Sequence, residues 1–507
     1  MIRRSAVRLF LPFALGAASV LGYAPFHLYP VPVFALAGLL LLLQRCASVR
    51  AAAFTGFCFG LGLFLAGVSW VYVSLHDYGG MAMPVAALFT LLFCLYLACF
   101  PATVAMLLWR FKGPAPASLL LLFPALWALS EWVRGWLLSG FPWLALGYSQ
   151  APYSPLAGYA PVVGVFGLSL AAAMLSGALG WMAHGFIHRS TLPARAPLLG
   201  GGAVAALLLI LGFAFSGMNW TQPVDAEPTT VALLQGNIPQ EMKWRPERAA
   251  ATLDTYMQMV RSTQAALILL PETALPMLNV DVPPGYLDAL SAHARKRDGD
   301  VLVGVPELDV SNRYYNSVMS YGSSPTQVYR KHHLVPFGDY FPLRPVLGWI
   351  TDLLHIPMSN FSHGDRVQKP ILAAGQRIAV NICYEDAFGE EIIRQLPEAT
   401  MLANFTNDAW WGDSIASKQH LQIAQMRALE TGRVMLRATN TGVTAIIDPK
   451  GRIAATAPEF TTTAVTGEVR GYRGSTPYVR WGNHGFIALS ALLILAAATL
   501  RKLLSRH

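Results

Sequence analysis

Charge is scarce in this sequence. Asp, Glu, Lys and Arg make up 13% of the 507 residues, against 54% hydrophobic ones, a balance too apolar for a water-soluble chain of this length. Acids are scarcest in the first part, where residues 1–219 hold only Asp77 and Glu131 beside ten Lys/Arg. Residues 220–500, with 26 acids and 24 Lys/Arg, have the mixture of an ordinary globular domain. The net charge of +9 therefore belongs to the apolar part and to the tail, Arg501, Lys502 and Arg506. The near-neutral globular part has no clustered basic face, which argues against a nucleic-acid partner. Cysteine is rarer still. Cys46, Cys58, Cys94 and Cys99 lie in the apolar part, and Cys383 stands alone in the rest, so no disulfide framework is expected there. HExxH and CxxC patterns are missing too, and His332 and His333, adjacent on an extended chain, point opposite ways. No metal site is expected.

What the chain has instead is long apolar runs. Crossing a bilayer as a helix takes roughly 20 residues. About seven runs qualify before residue 219, near 7–24, 28–44, 54–75, 85–109, 118–138, 158–187 and 197–217, and an eighth lies near 484–500. The first, with Arg3, Arg4 and Arg8 ahead of it, resembles a secretory signal. Because six more runs follow, an uncleaved span is expected. Basic residues flank alternate loops: Arg45 and Arg50, Arg110 and Lys112, Arg189 and Arg195, and the tail. The intervening loops "YAPFHLYP", "HDYGGM" and "SGFPWLALGYSQAPYSP" have none. The positive-inside rule then places both termini in the cytoplasm and the globular insert on the far side, the periplasm of a Gram-negative cell. The organisation read from this is a polytopic α-helical membrane domain over 1–219, an exported α/β domain over 220–480, and a final span with a basic tail over 481–507. Glu131 and Arg134, at i and i+3 in the fifth run, are costly at membrane depth. They read as a structural pair or as an aid in seating a lipid headgroup.

Between about 228 and 475 the pattern switches between periods of two and 3.6 residues. "TTVALLQGN", "ALILLPET", "VLVGVPE", "YNSVMSY", "RIAVNICYED" and "TMLANFTND" read as strands, being rich in β-branched and apolar residues. "RPERAAATLDTYMQMVRST", "YLDALSAHARKR" and "KQHLQIAQMRALETGR" read as helices from apolar residues three and four apart. Strands come both singly and in consecutive pairs, which predicts a layered α/β domain. Three strand ends carry chemistry. Glu272 follows an apolar run beside a proline, where poor solvation favours proton uptake. Lys331 ends "VYRK". Cys383 ends a β-branched run before a polar turn, a common way to present a nucleophile.

The motifs "PET" (271–273), "KHHLVPFG" (331–338) and "CYED" (383–386) resemble, in order and rough spacing, the Glu–Lys–Cys triad of the nitrilase superfamily. The flanking "QGNIPQ", "NDAWWGDS" and "RALETGRVMLRATNTGVTAIIDPKG", with seven spans before the domain and one after, narrow the likeness to its membrane-bound branch, the apolipoprotein N-acyltransferases. That resemblance implies an αββα nitrilase-like sandwich, with Cys383 as nucleophile, Glu272 as general base and Lys331 as stabiliser of the oxyanion together with the backbone N–H of Tyr384. Neither cofactor nor metal is implied. Glu385 matches the family's second acid and is expected to orient Lys331. At 339 the family pattern has Glu where this chain has Asp339, one methylene shorter, so its role stays open.

The resemblance also implies a ping-pong reaction in the bacterial inner membrane. A phospholipid, usually phosphatidylethanolamine, acylates Cys383, and the amine of a lipoprotein's N-terminal diacylglyceryl-cysteine takes the chain. Trp143, Trp244, Trp410 and Trp411 match family motifs and are expected to line the acyl entrance, as aromatic residues suit interfaces. The Phe-, Leu- and Trp-rich stretch 336–356 suits an arm in the membrane interface or a core helix. Two other readings stand beside this one: a membrane-anchored amidase of the same superfamily that passes the acyl group to water, and a transporter or lipid receptor with a degenerate hydrolase domain.

Overall fold

The computed structural model describes residues 2–187, 195–224, 227–340 and 360–504. It divides into two compact units, Met1–Trp70 with Ala87–Met218 and Arg480–His507, and Val71–Ala86 with Asn219–Val479.

The first unit is helical. Val49–Val68, Met83–Phe111, Ala117–Arg134, Pro155–Phe186, Arg195–Ser216 and His484–Leu503 are long and apolar enough to cross a membrane, and Leu9–Gly22 and Pro30–Gln44 are shorter apolar helices. Each apolar run read from the sequence thus coincides with a helix. Small residues let the helices approach: a side chain on Gly16 would collide with the Phe59 carbonyl, and one on Gly62 with that of Phe13, which locks Ile2–Ser19 against Val49–Val68 in the small-residue manner of membrane bundles. Ser48 caps the latter helix by accepting from Ala51 N at 3.2 Å, as an N-cap serine does. Glu131 and Arg134 are both buried and hold backbone. Glu131 Oε1 accepts from Trp127 Nε1 (2.8 Å) and Leu146 N (2.9 Å). Arg134 Nη1 donates to the carbonyls of Phe141 and Trp143, both at 2.6 Å. Two charges therefore fix the irregular stretch 141–146 between helices, a structural use that meets the need of buried backbone for partners.

The second unit is a four-layer sandwich. One six-stranded sheet runs in the order β13-β2-β3-β4-β5-β6, the other β12-β11-β10-β9-β8-β7. In chain order the strands are β1 (Thr221–Pro223), β2 (Thr229–Gln235), β3 (Leu267–Leu270), β4 (Asp300–Leu308), β5 (Tyr314–Gly322), β6 (Val328–Arg330), β7 (Ile371–Ala373), β8 (Gln376–Ile382), β9 (Met401–Thr406), β10 (Met435–Thr439), β11 (Ala445–Ile447), β12 (Ile453–Thr456), β13 (Thr463–Val469) and β14 (Tyr472–Gly474). Side chains alternate between faces of a strand, and the burial follows. Val231, Leu233, Leu267, Leu269, Val380, Ile382, Phe405 and Leu436 meet in the core between the sheets. Ala232, Leu234, Ile268 and Leu270 face outward onto Leu253, Tyr256 and Val260 of the helix Pro246–Ser262 and Leu290 of Tyr286–Arg295. Across the other sheet, Ala379, Leu402 and Met435 pack on Leu421, Ala424 and Ala428 of the helix Ala416–Thr431. The order helix, sheet, sheet, helix is the αββα sandwich expected. β1 pairs with β14, Thr221 opposite Gly474, and ties together the two ends of the unit.

Two expectations need correction. The third span ends at Val68 rather than 75, and Val71–Ala86 groups with the sandwich rather than with the membrane part. Its turn Ser74–Tyr78 is held there by Ser74 Oγ donating to the Trp410 carbonyl at 2.9 Å and by Tyr78 edge-on to the Trp410 ring. Apolar composition alone could not separate a span from a tryptophan-anchored loop. Of the arm expected at 336–356, residues 341–356 lie outside the described residues.

Candidate active site

The strands that carry Glu272, Lys331 and Cys383 all end on one side of the sandwich. β3 and β2 are parallel, as are β8 and β9, so chain turns collect beyond their carboxyl ends, where α/β sheets commonly hold ligands. Glu272 follows β3 by one residue and is buried. Its Oε1 accepts from Asn316 Nδ2 (2.8 Å) and Lys331 Nζ (3.4 Å), its Oε2 from Asn407 N (2.9 Å). Lys331, directly after β6, is 1% exposed. Its Nζ also lies 2.8 Å from Asp339 Oδ2. Burial alone would discharge this ammonium, but Asp339 and Glu272 outweigh it and hold Lys331 above its usual value. Asp339 is pinned in turn by accepting from Val335 N at 2.8 Å. The shorter acid thus reaches the lysine more closely than Glu272 does.

Cys383 opens the 3-10 turn Cys383–Ala387 with φ +51°, a left-handed backbone that L residues adopt at a cost of roughly 1–3 kcal/mol. The kink ends β8 at Cys383, which is partly buried and packs against the edge of the core between the sheets. A strained strand-to-helix turn is how a nucleophile is lifted clear of a sheet. Asn404 Nδ2 donates to the Cys383 carbonyl at 3.1 Å and holds the kink. Burial pushes the thiol up, the Glu272 carboxylate adds to this, and Lys331 offsets part of it. The thiol is therefore not ionised at rest, and a base must act during attack.

Glu385 does not touch Lys331. Its Oε1 accepts from His332 N (2.7 Å) and His333 N (3.1 Å), its Oε2 from Ile382 N (2.7 Å) and Tyr329 Oη (3.0 Å). It thereby joins the backbone just after Lys331 to the backbone just before Cys383, and fixes their separation. Burial pushes its carboxyl up to about 7, against the pull of the Ile382 and His333 amides. Tyr384 is buried, its ring edge-on to Phe388 and His333. His332 and His333 go to different partners, the Gly364 carbonyl and Glu391.

The tryptophans divide. Trp143 is 1% exposed inside the helical unit, against Phe141 and Trp70. Trp244, Trp410 and Trp411 are half-buried in the sandwich unit, Trp410 against Tyr78 and Trp411 edge-on to His420. Sequence reading gave no role to the groups that hold the triad. Asn316 and Asn407 bind Glu272. Behind Cys383, His420 Nε2 lies 2.8 Å from Asp386 and its Nδ1 2.9 Å from Asp408, while Arg437 bonds Asp408 (2.9 Å) and Asn404 (2.6 Å). "NDAWWGDS" and "VMLRATN" contained some of these residues as motif without a role. Lys243 was missed altogether; its Nζ donates to the Glu272 carbonyl at 3.1 Å.

A left-handed cysteine flanked by a buried carboxylate and ammonium on an αββα sandwich defines the thiol hydrolases and transferases of carbon–nitrogen chemistry, and the carbon-nitrogen hydrolase family model matches residues 230–478. A second model, the apolipoprotein N-acyltransferase N-terminal domain, matches residues 15–178. Apolipoprotein N-acyltransferases of Nitrosomonas europaea (53% identical over 500 residues, 97% of each chain) and Methylococcus capsulatus (46% over 503 residues, 98% of this chain and 96% of the other) are similar along their whole length. One from Chromobacterium violaceum is 43% identical over 483 residues. The chain belongs to the apolipoprotein N-acyltransferase family. It is an acyltransferase, and a membrane protein of a bacterial family.

Proposed function

We propose that the enzyme N-acylates the N-terminal diacylglyceryl-cysteine of lipoproteins, taking the acyl group from a phospholipid and carrying it as a thioester on Cys383. The observation that carries this reading is the left-handed Cys383 at the end of β8, beside the buried Glu272 and Lys331, in a chain whose full-length relatives bear the name apolipoprotein N-acyltransferase. Glu272 takes the thiol proton as sulfur attacks the ester carbonyl. The oxyanion faces the Lys331 ammonium and the Tyr384 amide, donors that act most strongly where charge develops. The carbon–oxygen bond then breaks, the glycerol oxygen takes the proton back from Glu272, and a lysophospholipid leaves. An α-amino group, with a pKa of roughly 7.7–8.0, is partly neutral near pH 7 and attacks the thioester. Glu272 accepts its proton and returns it to sulfur as the carbon–sulfur bond breaks, leaving an amide. Phosphatidylethanolamine is the donor the family likeness favours.

Glu272, Lys331 and Cys383 are the catalytic residues in this scheme. Glu385 and Asp339 position them, and Trp244, Trp410 and Trp411 edge the acyl path. The helical unit takes Met1–Trp70, Ala87–Met218 and Arg480–His507 and the sandwich unit Asn219–Val479 with Val71–Ala86, with both termini cytoplasmic and the sandwich periplasmic in the inner membrane. The basic loops support that orientation. Mass spectrometry of the purified protein after incubation with phosphatidylethanolamine tests the thioester: a hydroxylamine-sensitive acyl adduct on Cys383 is expected. Its absence overturns the thioester reading, and quantitative release of free fatty acid in the presence of a diacylglyceryl peptide overturns the transferase reading in favour of the amidase.

A further inference from the structure

Lysine is among the residues least often fully buried unless it is paired, and Lys243 is both buried and poorly partnered. It closes the short helix Gln240–Lys243 after β2 and is 3% exposed. Its one hydrogen bond is to the Glu272 carbonyl at 3.1 Å, and among the described residues no carboxylate lies within 4 Å of it. An ammonium has three donors, so two are unspent. The rest of the site shows why a charge there is useful. Glu272 and Asp339 set two negative charges against the single positive charge of Lys331. Behind them, Asp386 and Asp408 are matched by His420 and Arg437, and Glu385 is spent on backbone amides and Tyr329. Passing the thiol proton to Glu272 moves one negative charge from carboxylate to sulfur, and in either state Lys331 leaves one negative charge unmatched. Lys243 lies within electrostatic reach of both Glu272 and Cys383.

We propose that Lys243 is a second cation of the active site, which balances the anion formed when Cys383 gives up its proton and so sets the pH range in which the sulfur reacts. The inference rests on Cys383 as the nucleophile. Burial pulls Lys243 down to about 8, opposed by Glu272 and Cys383, so its charge is kept at neutral pH and lost in mildly alkaline solution. It acts as a positioning residue through its charge, while Lys331 keeps the oxyanion.

The test needs no lipid and is therefore independent of the donor. Full-length protein in detergent is alkylated with iodoacetamide from pH 6 to 10, and modification of the Cys383 peptide is followed by mass spectrometry. In Lys243→Met the rate at pH 7.5 falls about tenfold or more, equivalent to moving the thiol by one unit or more. In Lys243→Ala, ethylammonium, which fits the vacated space, restores the rate, whereas propanol does not. A wild-type rate profile in Lys243→Met overturns the proposal. So does a loss in Lys243→Ala that the cation fails to repair, or that the neutral alcohol repairs equally, because either assigns the residue to packing alone.

Discussion

Two clusters of buried charge lie on either side of Cys383, and they are built on opposite plans. Ahead of it, Glu272, Lys331, Asp339 and Lys243 stand on the side of the sulfur, with the Glu272–Lys331 contact at a loose 3.4 Å. Behind it, Asp386, Asp408, His420 and Arg437 are all but inaccessible to solvent and interlock at 2.8–3.3 Å. The front cluster leaves hydrogen-bonding capacity unspent where a substrate arrives. The rear cluster spends its charges on one another, and through Arg437, Asn404 and the Cys383 carbonyl it holds the strained turn in place. The lesson is that a buried ion pair does chemistry only where it is left incomplete. A completed one serves as a brace, where removing one partner costs about 3–5 kcal/mol.

The sharpest way to separate the two is to delete the front groups. Cys383→Ala and Glu272→Ala abolish transfer to a diacylglyceryl peptide, read by mass shift, with no loss of membrane insertion. Lys331→Met lowers acyl-enzyme formation by about 10²–10³-fold, the usual loss for one oxyanion donor, and thioester trapping at the wild-type rate would remove its role. Asp339→Asn costs less, about tenfold, because Lys331 keeps Glu272 as a partner; a steady-state assay that finds no change would return Asp339 to the loop it caps. His420→Asn sharpens the contrast from the rear. It lowers the melting temperature while turnover per folded molecule stays near wild type, and a turnover loss without a melting shift breaks the comparison. Its pH dependence is directional. Burial and Arg437 pull His420 down, but Asp386 and Asp408 together raise it above its usual value. The stabilisation is therefore complete below about 6.5 and fades as pH climbs through the elevated folded value. Wild type loses melting temperature over that window and the His420→Asn protein does not.

Most of the sandwich was legible because its strands rest on local signals, whereas the candidate triad was singled out only as a set, by its likeness to the family motifs. Strands with alternating or fully apolar runs gave β2, β3, β4, β5, β8 and β9, and Glu272, Lys331 and Cys383 stand where those runs, or the short β6, give way to polar turns. What escaped rests on distance. Asp386, Asp408, His420 and Arg437 come from four separate elements, and nothing in their spacing marks convergence. Arg437 lies in the middle of β10, where a buried charge breaks the alternation that would have revealed a strand. Lys243 in "QEMKW" looks like any solvated lysine, since burial is a property of the neighbours rather than of the four residues around it. Residues 71–75 were hidden in the third apolar run by their own apolarity.

The small ladder between Thr221–Pro223 and Tyr472–Gly474 has a consequence for how such a chain arises and assembles. It brings the entry and exit of the segment Asn219–Val479 to neighbouring positions, so once folded that segment joins its two ends like a short turn. The loop-closure entropy for docking His484–Leu504 onto Ala117–Arg134 and Ala160–Ile187 no longer depends on how many residues intervene. The hydrolase unit is thereby a cassette: exchanging it for a relative's, or for a few glycines, should leave the helical framework able to close on itself.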